Sequence, residues 1–130
     1  MKIAVMIARV LLGLVFLVFG LNFFLNFYKP AMPVMSPAAT AFQMGLFGSG
    51  YFFKYMKVIE IASGFFLLIN RYTALFTVII FPVSLNIFLF HAILLPSGVP
   101  IGTLVLVLNL FLGIAYRKYY SGMFTAKPVV

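Results

Sequence analysis

Cysteine is absent from this chain, and its absence removes more chemistry than any motif present adds. Disulfides, thiolate nucleophiles, iron–sulfur ligation and Cys-based zinc sites are all excluded. Acid is nearly missing too, with one Asp or Glu against nine Lys and Arg, and there is a single His. Three or four ligands make a closed metal site, and one Glu with one His cannot supply them. No metal site is expected. Charged residues of both signs together make up 8% of the chain, against about 25% in soluble domains. Such a sequence cannot cover a water-facing surface.

What is present is apolar: 65% hydrophobic residues and a mean hydropathy of +1.23. A length of 130 residues implies one domain. The net charge of +8 does not point to nucleic acid, because the cations stand singly between apolar runs without a basic stripe. In a membrane chain such an excess reports orientation and contact with anionic lipid headgroups. The N-terminal apolar run is too long for a cleavable signal and lacks a small-residue cleavage site, so it is expected to remain as a span.

A span needs about 20 apolar residues. By that measure the chain reads as an all-α integral membrane protein, a four-transmembrane-helix bundle in a single membrane domain covering residues 1–130. The expected spans are about 3–27, 51–69, 73–95 and 101–116. Lys29-Pro30 closes the first and Asn70-Arg71 makes a short break after the second. Pro96 to Pro100 forms the last turn, and Arg117-Lys118 closes the fourth span. In the first connector, Ser36-Pro37 has the form of an N-cap followed by proline at the first helical position, with Gly48 as a stop. A short interfacial helix is expected there, about 37–47. Four spans put both termini on one side with Lys2, Arg9, Arg71, Arg117, Lys118 and Lys127, against Lys29, Lys54 and Lys57 on the other. That bias places both termini in the cytoplasm.

Ionisable residues at membrane depth are costly and tend to face the bundle interior. Arg9, Gly13, Phe16 and Gly20 share one helical face; so do Lys57, Glu60 and Gly64, and so do Gly102, Leu106, Asn109, Gly113 and Tyr116. These three seams mix small and polar residues, as packed spans do. Helix rise puts Arg9, Glu60 and Asn109 about 9, 15 and 10 Å above the cytoplasmic boundary. An intramembrane charge pair of Arg9 with Glu60, the only acid, is therefore expected, with Lys57 and Asn109 beside it. Asn22, Asn26, Lys54, Asn86 and His91 fall nearer the outer surface and form a candidate outer pocket, covered by the short helix and walled by phenylalanines. Pro82 leaves the Val78 carbonyl without its helical bond, and such kinks often line cavities. A quinone or a lipid headgroup suits a pocket of this kind. His91 is open to two readings, an interfacial residue bonded to a loop carbonyl or a ligand-binding or proton-transfer group.

Two of these segments resemble a known family. Arg9-Val-Leu-Leu-Gly13-Leu-Val-Phe16 with Gly20, and Glu60-Ile-Ala-Ser-Gly64, are similar to the signatures of DoxX-like membrane proteins. Asn70 stands where a glycine is usual. The resemblance implies four spans and a link to membrane redox chemistry, with a quinone as the cofactor it suggests; the residues themselves name none. The resulting expectation is a small accessory subunit in a redox- or quinone-linked process of the bacterial cytoplasmic (inner) membrane, not catalytic on its own. Its partners would be the lipid bilayer and a larger membrane complex or a homo-oligomer. Two other readings stay open: an oligomeric small-molecule or proton transporter using Glu60, and a purely structural subunit.

Overall fold

Twenty-four residues without a proline, Lys2–Leu25, form the first helix, α1. It stops where Asn26 turns left-handed at φ 53°, a conformation asparagine tolerates better than most residues. The computed structural model describes residues 1–29 and 34–130. Pro30 and Pro33 of the first connector lie outside the described residues. Helix α2, Pro37–Gly48, starts as its sequence demands: the Ser36 hydroxyl accepts the Ala39 N–H at 3.2 Å, and Pro37 occupies the first turn. Helix α3 is Phe52–Leu68. The chain then reverses through Asn70 and Tyr72, both left-handed at φ 55° and 53°. The Thr73 hydroxyl steadies this turn by donating to Asn70 Oδ1 at 2.9 Å. Asn70 thus occupies a position that glycine would also suit.

Helix α4, Thr73–Leu89, contains Pro82 and widens at its end into a π-helical turn, Phe90–Leu94. Helix α5 is Val99–Ala115. The long helices bury a core of Leu12, Phe16, Leu67, Ile80, Val105 and Leu112. Helix α1 lies against α3 with backbone touching backbone. A Cβ built on Gly64 would stand 2.6 Å from the Leu17 nitrogen and 2.7 Å from the Gly13 oxygen. Gly102 does the same for α5, 3.2 Å from the Phe88 Cα on α4. The third seam departs from expectation at Gly113, where an added Cβ would meet no other helix within 4 Å. Leu112 is the buried residue there.

Among the described residues, three helical segments are long and apolar enough to cross a membrane: Lys2–Leu25, Thr73–Leu94 and Pro96–Ala115. Their outward faces remain apolar, as in the exposed stripe of Ile101, Leu104, Val107 and Ile114 on α5. Water would penalise that surface, whereas lipid tails accept it. The chain is a multi-pass helical membrane protein. Tyr28, Tyr51, Tyr55 and Tyr119 are exposed near helix ends, as interfacial aromatics are. Tyr120 differs from that pattern: it is 8% exposed and its hydroxyl donates to the Ala74 carbonyl at 2.9 Å, pinning the C-terminal segment to the start of α4.

Candidate ligand-binding cavity

Arg9 and Glu60 do not pair. The Arg9 guanidinium donates to the carbonyls of Leu67 and Leu68 at 2.5 and 3.1 Å. Those are among the last carbonyls of α3, at the negative end of the helix dipole; the Leu67 oxygen also accepts the Asn70 N–H at 3.4 Å. Glu60 stands two turns further up α3, about 10 Å along its axis, and the arginine extends toward the helix end instead. Glu60 pairs with Lys57, one turn away on the same helix, with Nζ 3.3 Å from Oε2. Asn109 joins neither charge. Its Oδ1 accepts the Ser84 hydroxyl at 2.7 Å and its Nδ2 donates to the Thr77 carbonyl at 3.0 Å. Thr77 and Ser84 bracket Pro82, so Asn109 staples α5 across the stretch of α4 where the proline removes a helical bond. The clue to this staple was the spacing of Thr73, Thr77 and Ser84, which places their hydroxyls on the buried face of α4 with Ile80.

The five residues of the expected outer pocket also divide. Asn22 and Asn26 close α1: both amide atoms of Asn22 bond the backbone of Tyr28 at 2.8 Å, and Asn26 is the left-handed cap. Lys54 is exposed and lines none of the three cavities described here. Asn86 and His91 do face a common space, and the Lys57–Glu60 pair faces it too. All four line a cavity of about 600 Å³ beneath α2.

Helix α2 is held over this cavity by aromatic contacts at its middle and at its C-terminal end. Phe42 stacks on Phe90 with centroids 5.4 Å apart, and Phe47 stacks on Phe53 at 4.3 Å. Gln43 and Leu46 line the space between those contacts. Glu60 is 3% exposed, while the Lys57 ammonium also lies 5.3 Å from the Phe53 ring centroid, within cation–π range. His91 Nδ1 stands 3.4 Å from the Leu95 carbonyl, as expected of a histidine bonded to a loop. Its ring presses on the backbone of Gly98, where any Cβ would overlap it. A loop glycine therefore makes room for the imidazole.

Two further cavities adjoin the first. One of about 600 Å³ runs between α3 and α4 and shares Phe42, Leu46, Met56 and Asn86 with it. The other, about 310 Å³, lies on the α1–α5 side and shares Lys57, Glu60, Ile87 and His91. Compared with known proteins, the chain matches no family model, no curated protein and no solved structure. Among the described residues no group of three or more His, Asp or Glu is placed to hold a metal ion, and the chain has no cysteine.

Chemically, the main cavity offers an ammonium, a carboxylate, an amide and an imidazole in the wall of an aromatic and aliphatic chamber. Such a site suits a ligand that is mostly apolar with a few hydrogen-bonding atoms.

Proposed function

We propose that this chain is a small accessory protein of the bacterial cytoplasmic membrane that holds a lipid-soluble molecule with a hydrogen-bonding head, a quinone in the first instance. The observation carrying this reading is the cavity under α2, where Lys57, Glu60, Asn86 and His91 converge among phenylalanines and methionines. A quinone ring can stack on the aromatics while its carbonyl oxygens accept bonds from Asn86, His91 or Lys57. The resemblance of Arg9 to Gly20 and of Glu60 to Gly64 to DoxX-like proteins supports the same reading, through those residues alone. In it, α3 is the fourth span: its 17 residues rise about 25 Å, near the lower limit for crossing the hydrocarbon. The cation bias then puts both termini in the cytoplasm, and α2 lies at the outer interface as a cover. The apolar stripe on α5 would face lipid, a larger membrane complex or a second copy.

Transport is favoured by one observation: Glu60 and His91 stand on the wall between two cavities. Proton or solute flux into liposomes, abolished by Glu60→Gln, is its signature. To test the binding reading, the protein is isolated in its native lipids and its small molecules are identified by mass spectrometry. Quinone should co-purify near one per chain and fall at least tenfold in Asn86→Leu and His91→Leu. Equal quinone in all three samples overturns the proposal.

A further inference from the structure

Building on that quinone-binding reading, we infer that the ligand's apolar tail lies in the groove between α3 and α4, and that the ligand reaches its site sideways from the bilayer along this groove. The groove is made by two matching helix faces. Phe52, Tyr55, Met56 and Ile59 on α3 recur at helical spacing, and they oppose Val78, Ile79, Pro82, Val83 and Asn86 on α4. It joins the head cavity directly, since Phe42, Leu46, Met56 and Asn86 line both. From Asn86 the groove follows α4 past its middle to Val78, about 12 Å of helix rise. Pro82 sits in its wall, where the missing N–H loosens the helix. Among its lining side chains only Asn86 and Tyr55 carry polar groups, and Val78 and Ile79 are 39% and 38% exposed, so the groove opens to lipid.

The opening on the α1–α5 side is the competing route, and it fits a tail less well. It has about half the volume, at about 310 against about 600 Å³. It is also lined by both members of the Lys57–Glu60 pair and by His91. An alkyl chain there would desolvate charges without giving them partners. In the α3–α4 groove the chain exchanges lipid contacts for protein contacts, and the bound head remains beside Asn86.

A photoreactive quinone tests this in the intact protein. The protein is placed in nanodiscs of phosphatidylethanolamine and phosphatidylglycerol with a benzoquinone carrying a diazirine on its second prenyl unit. After irradiation the adducts are mapped by mass spectrometry, with and without an excess of unlabelled quinone. The expected adducts fall on Val78, Ile79 and Ile59 and disappear with competitor. Val78→Trp should reduce them at least fivefold while Ile101→Trp, at the rival opening, leaves them unchanged. Both side chains already face lipid in part, so a larger one can turn outward, and Ile79→Phe repeats the test if Val78→Trp folds poorly. Competed adducts on Val15 or Ile101 instead overturn the groove and leave the head site standing. Adducts that the competitor does not displace anywhere overturn the quinone reading, and the groove with it.

Discussion

Where the N-terminus of α1 and the C-terminus of α5 lie together, Arg9, Thr77, Tyr120 and the nearby Asn109–Ser84 pair each have a hydrogen-bond partner. At the opposite end Lys57, Glu60, Asn86 and His91 line open space. Residues of the same chemical types therefore do two jobs. At the first end the polar groups satisfy helix ends and the proline gap, and the surroundings close over them. Burial also pushes the Tyr120 hydroxyl above its ordinary pKa. At the second end polar atoms are gathered beside a cavity that the protein does not fill. Polar groups gathered beside an unfilled, mostly apolar cavity are the pattern of a binding-site hypothesis, and the first end lacks that pattern. Ser63 departs from this division, with a hydroxyl buried and without a partner among the described residues.

Substitutions should separate the two ends by stability on one side and by ligand on the other. The largest loss is expected between them, at the α1–α3 contact on which both depend. Gly64→Leu would drive a side chain into the backbone of Leu17 and Gly13. Overpacking of ordinary cores costs about 1–3 kcal/mol, and here backbone has to move, so about 3 kcal/mol or more is expected. Steric-trap unfolding in bicelles should show it, and native stability in Gly64→Leu would mean the helices are not in contact there. Arg9→Met comes next. It removes a charged donor from the Leu67 and Leu68 carbonyls, worth about 2–3 kcal/mol by the usual scale for bonds to charged groups. Arg9→Lys should recover only part of this, because an ammonium reaches two carbonyls less well than the guanidinium fork. Equal stability of Arg9→Met and the parent would remove the cap from the scaffold. Asn109→Leu removes two interhelical bonds, each worth about 0.6 kcal/mol on average in membrane proteins, so about 1 kcal/mol is expected, without lowering bound ligand. Ligand loss at unchanged stability would place Asn109 in the site.

Much of the scaffold was legible from local rules. Ser36-Pro37 and Gly48 bracket α2 because an N-cap acceptor, a fixed φ and a helix breaker act within a few residues. Gly13, Gly20 and Gly64 mark a close contact because small residues at helical spacing have few other uses on a span. The candidate site was legible only in its parts. Glu60 and Lys57 were grouped with Arg9 by depth, and Asn86 and His91 with Asn22 and Asn26 by the same measure. Depth along a helix is a one-dimensional quantity. It does not tell which way an arginine will extend, or that Asn22 will fold back on the Tyr28 backbone. The cavity joins two residues of each group because α2 stands off α3 and the π-helical turn on its phenylalanine contacts, which no spacing along the chain encodes. Gly98 gave a clue that was hard to read: a loop glycine can serve a turn, and here it makes room for the His91 ring.

At the cavity, Asn86→Leu should leave stability within about 0.5 kcal/mol, as substitutions away from packed features do, while bound quinone falls at least tenfold. Thermal unfolding followed by lipid extraction measures both on one sample. A large stability loss would make Asn86 part of the scaffold and weaken the contrast between the two ends.

The smallest effect expected is a coupling between Arg9 and Glu60 close to zero. The guanidinium is engaged by carbonyls of α3 and the carboxylate by Lys57. Two turns of helix, about 10 Å, separate their positions on α3. Sites that far apart with no shared partner add within about 0.3–0.5 kcal/mol. Arg9→Met, Glu60→Gln and the double variant should therefore close a cycle within that range, although each single change is itself destabilising. Glu60→Gln leaves Lys57 without its anion, but the lysine side chain is 16% exposed and can turn its head toward water, so its loss should be smaller than that of Arg9→Met. A coupling above about 1 kcal/mol would mean that the arginine leaves the α3 carbonyls and reaches the acid in the membrane. The scaffold end and the cavity end would then share one charge network, and changes in ligand at Glu60 would be felt at the helix cap.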